Sequence, residues 1–265
     1  MNQYSSKPKR DEASMEDAYV LTDNYIAVFD GATPKTAFRF PDGRTPGQVA
    51  ATTLANTTRM LPPECTAREA IDRLSEALAN ALNGHSGEAS GVILNRTRRE
   101  IWNVGDCQFA LLHRDGRLER HRTEKAIDRI LSDWRASIIG SYLSRGMMTS
   151  AEILANDPGR RIIQPFITRQ TRYQNRAGEL GFGVFDGQRI PDEFIETWAI
   201  GQDIKTVILA SDGYPELYAT LEETEAVLQR MLQSDPLCIN ELRGTKGIRP
   251  GCTAHDDRTY VRVEI

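Results

Sequence analysis

The fold is decided by the run Tyr25-Ile26-Ala27-Val28-Phe29-Asp30-Gly31, an apolar strand pattern that stops at a carboxylate. A second run, Thr206-Val207-Ile208-Leu209-Ala210-Ser211, stops in the same way at Asp212-Gly213, and Asp256-Asp257 precedes a closing strand-like run. A carboxylate at the end of a buried strand is costly unless a positive charge meets it. Because distant parts of the chain supply several such carboxylates, the pattern indicates one shared divalent-cation site built from oxygen ligands.

Length and composition are those of an ordinary soluble protein. The chain has 265 residues, of which 40% are hydrophobic and 26% charged, and its net charge is −4. These values allow one large domain or two small ones, and they give no general attraction to nucleic acid or to an anionic membrane. No apolar stretch has the length of a transmembrane helix, and the polar start lacks a signal-peptide core. We therefore expect a cytoplasmic protein with no nucleic-acid or membrane partner.

The cysteines carry no metal or disulfide signature. They are four in number and scattered, with no Cys-x-x-Cys spacing, at positions 65, 107, 238 and 252. This usage predicts four reduced thiols rather than a zinc site or a disulfide framework.

The order of strand and helix patterns indicates the fold class. The basic first dozen residues are expected to have a mobile tip, and a polar insert is expected between residues 123 and 176. Capping signals predict helices that start at Thr45, Thr66 and Thr149. Strand patterns occupy residues 17–21, 25–29, 91–95, 100–104, 108–113, 118–121, 182–185, 194–200, 206–210 and 260–265, and helix patterns occupy 215–233 and 236–242.

Strands occur in consecutive groups and helices in pairs, without strict alternation. This order favours antiparallel sheets with helices packed outside them. We therefore predict an α+β fold, a four-layer αββα sandwich of two antiparallel sheets flanked by helices.

Not every Asp-Gly pair is a candidate ligand. Asp42-Gly43 and Asp115-Gly116 lie in polar surroundings and are interpreted as turns, and Asp186-Gly187 is interpreted as a hairpin turn. Asp30 and Asp212 differ because long apolar runs precede them. A glycine after the aspartate also lets the backbone carbonyl approach a cation. Two Mn²⁺ or Mg²⁺ ions that share a carboxylate can acidify a common water into a nucleophile, which suits phosphoester hydrolysis.

Five short motifs, in order, resemble the signature series of the metal-dependent protein phosphatases, the type 2C serine/threonine phosphatase family. The resemblance runs from residue 15 to the C-terminus and implies a single phosphatase-like domain at 1–265, with a flap at 123–176. Each motif is weak alone, and their order and proportions make the set specific. The motifs are Met15-Glu16-Asp17-Ala18, Val28-Phe29-Asp30-Gly31, Asn103-Val104-Gly105-Asp106, Leu209-Ala210-Ser211-Asp212-Gly213 and Asp256-Asp257-Arg258-Thr259.

The resemblance assigns roles to the residues that match. It implies that Asp30 bridges two metal ions and that the Gly31 carbonyl contacts one of them. Asp212 and Asp256 would complete the shell of the other ion. The expected catalytic residues are Asp30, which bridges the two ions, and Asp212. Taken without the resemblance, Asp30 and Asp212 could each be a turn residue.

Three further carboxylates receive secondary roles from the same resemblance. Glu16 and Asp17 would hold metal-bound waters, and Asp106 would help to bind a weakly held third ion. A solvated strand end is the alternative for Glu16 and Asp17. A hairpin turn after Gly105 is the alternative for Asp106.

The chain also departs from the family pattern. Ala32-Thr33 stands where many members have a histidine that is a candidate general acid, and His255 is interpreted as a structural neighbour rather than a replacement. Glu12 stands where members have a phosphate-binding arginine. If residues 10–16 form a strand, Arg10 lies on the same face as Glu16 and could substitute for that arginine. A mobile basic tail is the alternative for Arg10.

Three functions follow as hypotheses. The leading one is a phosphoprotein serine/threonine phosphatase that uses a water activated by two Mn²⁺ or Mg²⁺ ions. The second keeps this chemistry but acts on a small metabolite or nucleotide phosphoester. The third is a catalytically inactive binding or regulatory module with the same fold.

Overall fold

Two five-stranded antiparallel sheets form the centre of the fold. The computed structural model describes residues 2–32 and 38–265. One sheet has the order β1 (Gln3–Lys7), β10 (Arg258–Glu264), β9 (Ile204–Ala210), β6 (Gln108–His113) and β7 (Leu118–Arg122). The other has the order β2 (Asp17–Leu21), β3 (Tyr25–Gly31), β4 (Ala89–Asn95), β5 (Glu100–Val104) and β8 (Glu196–Ala199).

Helices cover the outer faces of both sheets. The second sheet packs against α1 (Pro46–Thr58) and α2 (Ala67–Leu82), and the first packs against α6 (Leu221–Ser234). The predicted four-layer αββα sandwich is therefore confirmed. None of the helices among the described residues is long and apolar enough to cross a membrane.

Strand β3 lies inside the sandwich with both faces buried. Tyr25, Ala27 and Phe29 pack toward α1 and α2, whereas Ile26 and Val28 pack between the two sheets. This burial on both sides explains why the run is apolar throughout instead of alternating. The two-residue period also places Asp30 on the face of Ile26 and Val28, at the end of the layer between the sheets.

The capping signals read from the sequence mark real helix starts. The Thr45, Thr66 and Thr149 side chains each accept a hydrogen bond from the backbone N–H three residues on, and each has the reciprocal bond of a capping box. Thr45 also donates its hydroxyl to the buried Glu16 carboxylate. The start of α1 is thereby joined to β2.

The insert forms three α-helices, which lie against the end of the sandwich. They are α3 (Ala126–Ser144), α4 (Ser150–Ala155) and α5 (Pro158–Arg169). Apolar residues of α3 and α5 pack together and onto Phe182 and Val184. The insert therefore has its own small core and lies beside the ends of the strands that carry the candidate ligands.

Three local predictions were wrong. The N-terminal segment expected to be mobile forms β1, which pairs with β10 from Gln3 to Lys7. Residues 182–185 make two isolated bridges rather than a strand. The helix expected at residues 236–242 is absent, because the buried Asp235 side chain accepts backbone N–H groups of Ile239, Asn240 and Leu242. Such local bonds hold the backbone in turns instead of a helix.

Candidate metal and phosphoester site

A cavity of about 300 Å³ opens where β3, β9 and the insert meet. Its floor is acidic, since Asp30, Asp106, Asp212 and Asp256 all line it, together with Gly31. The structure thus brings together the carboxylates that four separate motifs contribute. Its rim is basic, with side chains from the insert and from the loop before β10, namely Lys125, Arg160, Lys246 and Arg249.

Asp30 and Asp212 form the centre of the acidic floor. The two carboxyl groups are close enough to interact directly. Burial raises the pKa of Asp212 to about 6, with Asp106 and Asp256 adding to the effect. Burial also raises the pKa of Asp30 well above its usual value, followed by repulsion from Asp212 and Asp17. Two partly buried carboxylates with no ion-pair partner among the described residues are the environment that a divalent cation would stabilise.

Asp17 lies directly beside this pair. It stands opposite Asp30 in the β2–β3 register, and the Ser211 hydroxyl donates to Asp17 Oδ2 over 2.7 Å. Asp17 Oδ1 is buried and has no hydrogen-bond partner among the described residues. Burial raises the pKa of Asp17 to about 7. An orphaned carboxylate oxygen next to Asp30 is suited to receive a proton from a water on a bound metal.

Asp256 has a different environment, because two lysines neutralise it. Lys9 Nζ lies 2.8 Å from Asp256 Oδ1, and Lys246 Nζ lies 2.5 Å from Asp256 Oδ2. Burial would raise the pKa of Asp256, but the Lys246 and Lys9 charges outweigh it and hold the pKa far below its usual value. Asp256 therefore lies in the cavity as the shared partner of two ammonium groups.

Glu16 and Arg10 lie to one side of the acidic floor. Both line a neighbouring cavity of about 430 Å³, which shares Lys246 and Arg249 with the first. Glu16 is held by the Thr45 hydroxyl. The strand premise behind Arg10 was wrong, since Glu12–Ser14 is a turn of 3-10 helix, and the Arg10 guanidinium bonds the adjacent Asp11 over 2.7 Å.

Arg160 is the best-placed cation on the rim. It lies near the start of α5, and its guanidinium donates to the Thr245 carbonyl over 3.0 Å. Its Nε is buried without a partner, and no carboxylate in the described part of the chain lies within 4 Å. Burial lowers the pKa of Arg160 to about 10, with repulsion from Arg249 and Arg135 added. A guanidinium in this state is suited to bind an anionic ligand.

His255 does not line this cavity, but it lines an adjoining one that shares Asp212 and Asp256. His255 Nδ1 is buried with no partner among the residues described, and burial lowers the pKa of His255 to about 4, so its ring is neutral. Ala32 lines the cavity next to Gly31. Thr33, the second residue of the departure at the family histidine, lies outside the described residues.

Sequence reasoning missed the positive residues of the site. Lys9, Lys125 and Lys246 each lie within 3.1 Å of a site carboxylate, yet none belongs to a recognisable motif. Ser211 was within a quoted motif but was given no role, although its hydroxyl links Asp17 to the Thr259 backbone N–H. A basic residue at an irregular loop position carries no periodic signal, and this explains why the lysines were not found.

The donor set fits a divalent cation at Asp30 and Asp212. Both groups offer oxygen ligands, and neither has an ion-pair partner within 4 Å among the described residues, so a shared cation would offset their mutual repulsion. Nowhere in residues 2–32 and 38–265 are three or more His, Cys, Asp or Glu side chains already arranged around one metal position. The four cysteines are free thiols, as predicted.

The fold is similar to that of bacterial serine/threonine phosphatases. The Mycobacterium tuberculosis phosphatase PstP/Ppp matches with a TM-score of 0.51 and 16% identity over 100% of this chain and 98% of that one. Stp1 from Staphylococcus aureus matches with a TM-score of 0.52 and 13% identity over 100% and 94%. A bacterial serine phosphatase matches with a TM-score of 0.51 and 14% identity over 100% and 97%.

Sequence comparisons give no corresponding match. No family model matches the chain, and no curated protein does. The resemblance drawn from the five motifs is therefore confirmed for the fold, over essentially the whole length of these phosphatases.

Proposed function

We propose that this protein is a metal-dependent phosphoester hydrolase of the type 2C family that removes phosphate from serine or threonine in a protein. The observation that carries the proposal is the pair Asp30 and Asp212, two partly buried carboxylates beneath a basic rim, with no ammonium or guanidinium of the described residues within 4 Å. The fold shared with bacterial serine/threonine phosphatases supports it.

The residues of the floor have distinct tasks in this proposal. Asp30 and Asp212, with the Gly31 carbonyl, would hold Mn²⁺ or Mg²⁺. Such an ion supplies an activated water at neutral pH and neutralises phosphate charge. Asp17, aligned by the Ser211 hydroxyl, would orient that water and accept its proton through the unpartnered Oδ1.

The rim binds and orients the phosphate. Arg160 and Arg249 have no carboxylate within 4 Å in the described part of the structure, so their charges are available to an anion. An arginine can form two parallel hydrogen bonds to phosphate oxygens. The rim would therefore hold the phosphoester above Asp30, and the adjoining insert would form one wall of the substrate site.

Metal dependence is the direct test of the function. Release of phosphate from a phosphoserine peptide should require added Mn²⁺ or Mg²⁺ and should fall to background in excess chelator, because the Asp30–Asp212 pair needs a cation to become a site. Phosphate release is measured with and without EDTA, and activity is restored by excess Mn²⁺. Turnover that persists unchanged in the chelator would contradict the mechanism.

The substrate class is decided in the same assay. Phosphoserine and phosphothreonine peptides are compared at equal concentration with a panel of nucleotide and sugar phosphates. We expect kcat/KM to favour the peptides. A preference for the small phosphoesters would select the metabolite hypothesis, and absence of both turnover and Mn²⁺ binding would select the inactive module.

Arg160, rather than Arg10, is expected to bind the substrate phosphate. Replacing Arg160 with Ala should raise KM for the phosphopeptide about 10-fold or more, since one charge-assisted hydrogen bond contributes about 1.5–3 kcal/mol. Arg10→Ala is the matched control and should leave KM within about twofold, because an exposed ion pair such as Arg10–Asp11 contributes little. The reverse order of effects would restore Arg10 as the phosphate-binding residue.

A further inference from the structure

The insert places one positive side chain directly into the acidic floor. Lys125 is the residue immediately before α3, and Lys125 Nζ lies 2.8 Å from Asp106 Oδ2. The ammonium also lies 5.1 Å from the centre of the Phe182 ring, so its approach is fixed on two sides. The side chains of Lys125 and Asp106 are only 15% and 17% exposed.

Both oxygens of the Asp106 carboxylate are occupied. Asp106 Oδ1 accepts a hydrogen bond of 2.5 Å from the Ser90 hydroxyl, and Oδ2 binds Lys125. Gly105 makes this approach possible: it has φ of +88°, and a Cβ there would lie 2.4 Å from Ser90 Oγ. A divalent cation that approached Asp106 would meet the Lys125 ammonium already there.

The ion pair is held in its charged form. Burial alone would raise the pKa of Asp106, but the Lys125 charge outweighs burial and the pKa is lowered. Burial alone would lower the pKa of Lys125, and the Asp106 charge raises it instead. Displacing the ammonium would leave a partly buried cation without its partner, which is unfavourable.

Asp106 differs from the two aspartates at the centre of the floor in having an ion-pair partner. No ammonium or guanidinium of the described residues lies within 4 Å of Asp30 or Asp212, whereas Asp106 has one. We infer that Lys125 is a built-in cation that holds the position beside Asp106 and closes it to a further divalent ion. The inference rests on the proposed function, because it concerns the metal content of the same site.

This role gives the insert a part in the chemistry. The charge of Asp106 acts on Asp212, so an ammonium at Asp106 reduces the negative potential over the floor. A lysine supplies one fixed positive charge without a dissociation equilibrium. The protein would thus work without the additional ion that the resemblance implied for Asp106.

Metal stoichiometry tests the inference without using activity. Mn²⁺ bound per chain is counted by equilibrium dialysis and elemental analysis at millimolar free metal, for the wild type, Lys125→Met and the double variant Asp106→Asn/Lys125→Met. Met keeps the apolar stem over Phe182 and removes the charge. We expect Lys125→Met to bind one more ion than the wild type and the double variant to lose that ion.

Arg129→Ala is the matched control, since it removes a cation one turn along α3 that forms its ion pair with Glu124 instead of Asp106. Its metal count should equal that of the wild type.

An unchanged count in Lys125→Met, with the thermal unfolding transition retained, would overturn the inference. The wild-type count separately decides the proposed function, because wild type without bound Mn²⁺ contradicts the site at Asp30 and Asp212 whatever Lys125→Met does. If Lys125→Met fails to fold, Lys125→Gln is counted in its place with the same two outcomes.

Discussion

Replacing Asp30 with Asn is expected to lower phosphoester hydrolysis by about 1000-fold, the upper range for loss of one preorganised electrostatic contact. The reason is that Asp30 lies at the centre of the floor, next to Asp212 and opposite Asp17, and an amide is a poor metal ligand. The same change should raise the melting temperature of the metal-free protein. It removes a carboxylate whose charge is disfavoured by burial and by two acidic neighbours.

A loss of activity together with a rise in the melting temperature would distinguish a lost metal ligand from a damaged fold. In the metal-free wild type, the raised pKa of Asp212 means that its favourable contribution is complete below pH 3.8 and is lost as the pH rises through about 6. In Asp30→Asn, stability should fall less steeply as the pH rises. The melting temperature in chelator, measured between pH 5 and pH 8, tests this. Asp115→Asn, in an exposed Asp-Gly turn, is the control and should change neither activity nor melting temperature. An Asp30→Asn protein with more than a tenth of wild-type activity would contradict the ligand role.

Replacing Arg135 with Ala is expected to destabilise the fold by about 3–5 kcal/mol, the cost of removing one partner from a buried charged network. Arg135 is 1% exposed, and its guanidinium donates to the carbonyls of Leu237, Cys238 and Gly244 as well as to Asp157. The change would remove one donor from each of three carbonyls and from the Asp157 carboxylate. It would also release the loop that carries the site residue Lys246.

A second arginine offers a close control for this measurement. Arg243 joins the same loop to α3 through Asp133 over 2.7 Å, but both side chains are 48% exposed. Arg243→Ala should therefore cost less than about 1 kcal/mol. Urea unfolding of the two variants gives the comparison, and equal losses would mean that Arg135 is not the residue that fastens the insert to the body.

The architecture could be predicted because its signals are local. Tyr25 to Asp30 combines an apolar run with an abrupt polar end, and Thr45, Thr66 and Thr149 mark helix starts through contacts only three residues long. The helix predicted at residues 236–242 failed because a buried side chain bonds the backbone there. The Asp235 carboxylate accepts hydrogen bonds from three backbone N–H groups, and the segment forms turns instead of the predicted helix.

The sequence by itself therefore determined the two sheets, their covering helices and the gathering of Asp30 and Asp212 at one end of the sandwich. The side-chain period of two along any strand decides which face Asp30 occupies once the run is recognised as a strand. Only the tertiary structure decided which carboxylates meet a positive charge. Lys9 reaches Asp256 across 247 positions of the chain, and Lys125 reaches Asp106 from outside any motif. A flexible lysine in a loop leaves no periodic trace, so its partner is known only when the chain has folded around it.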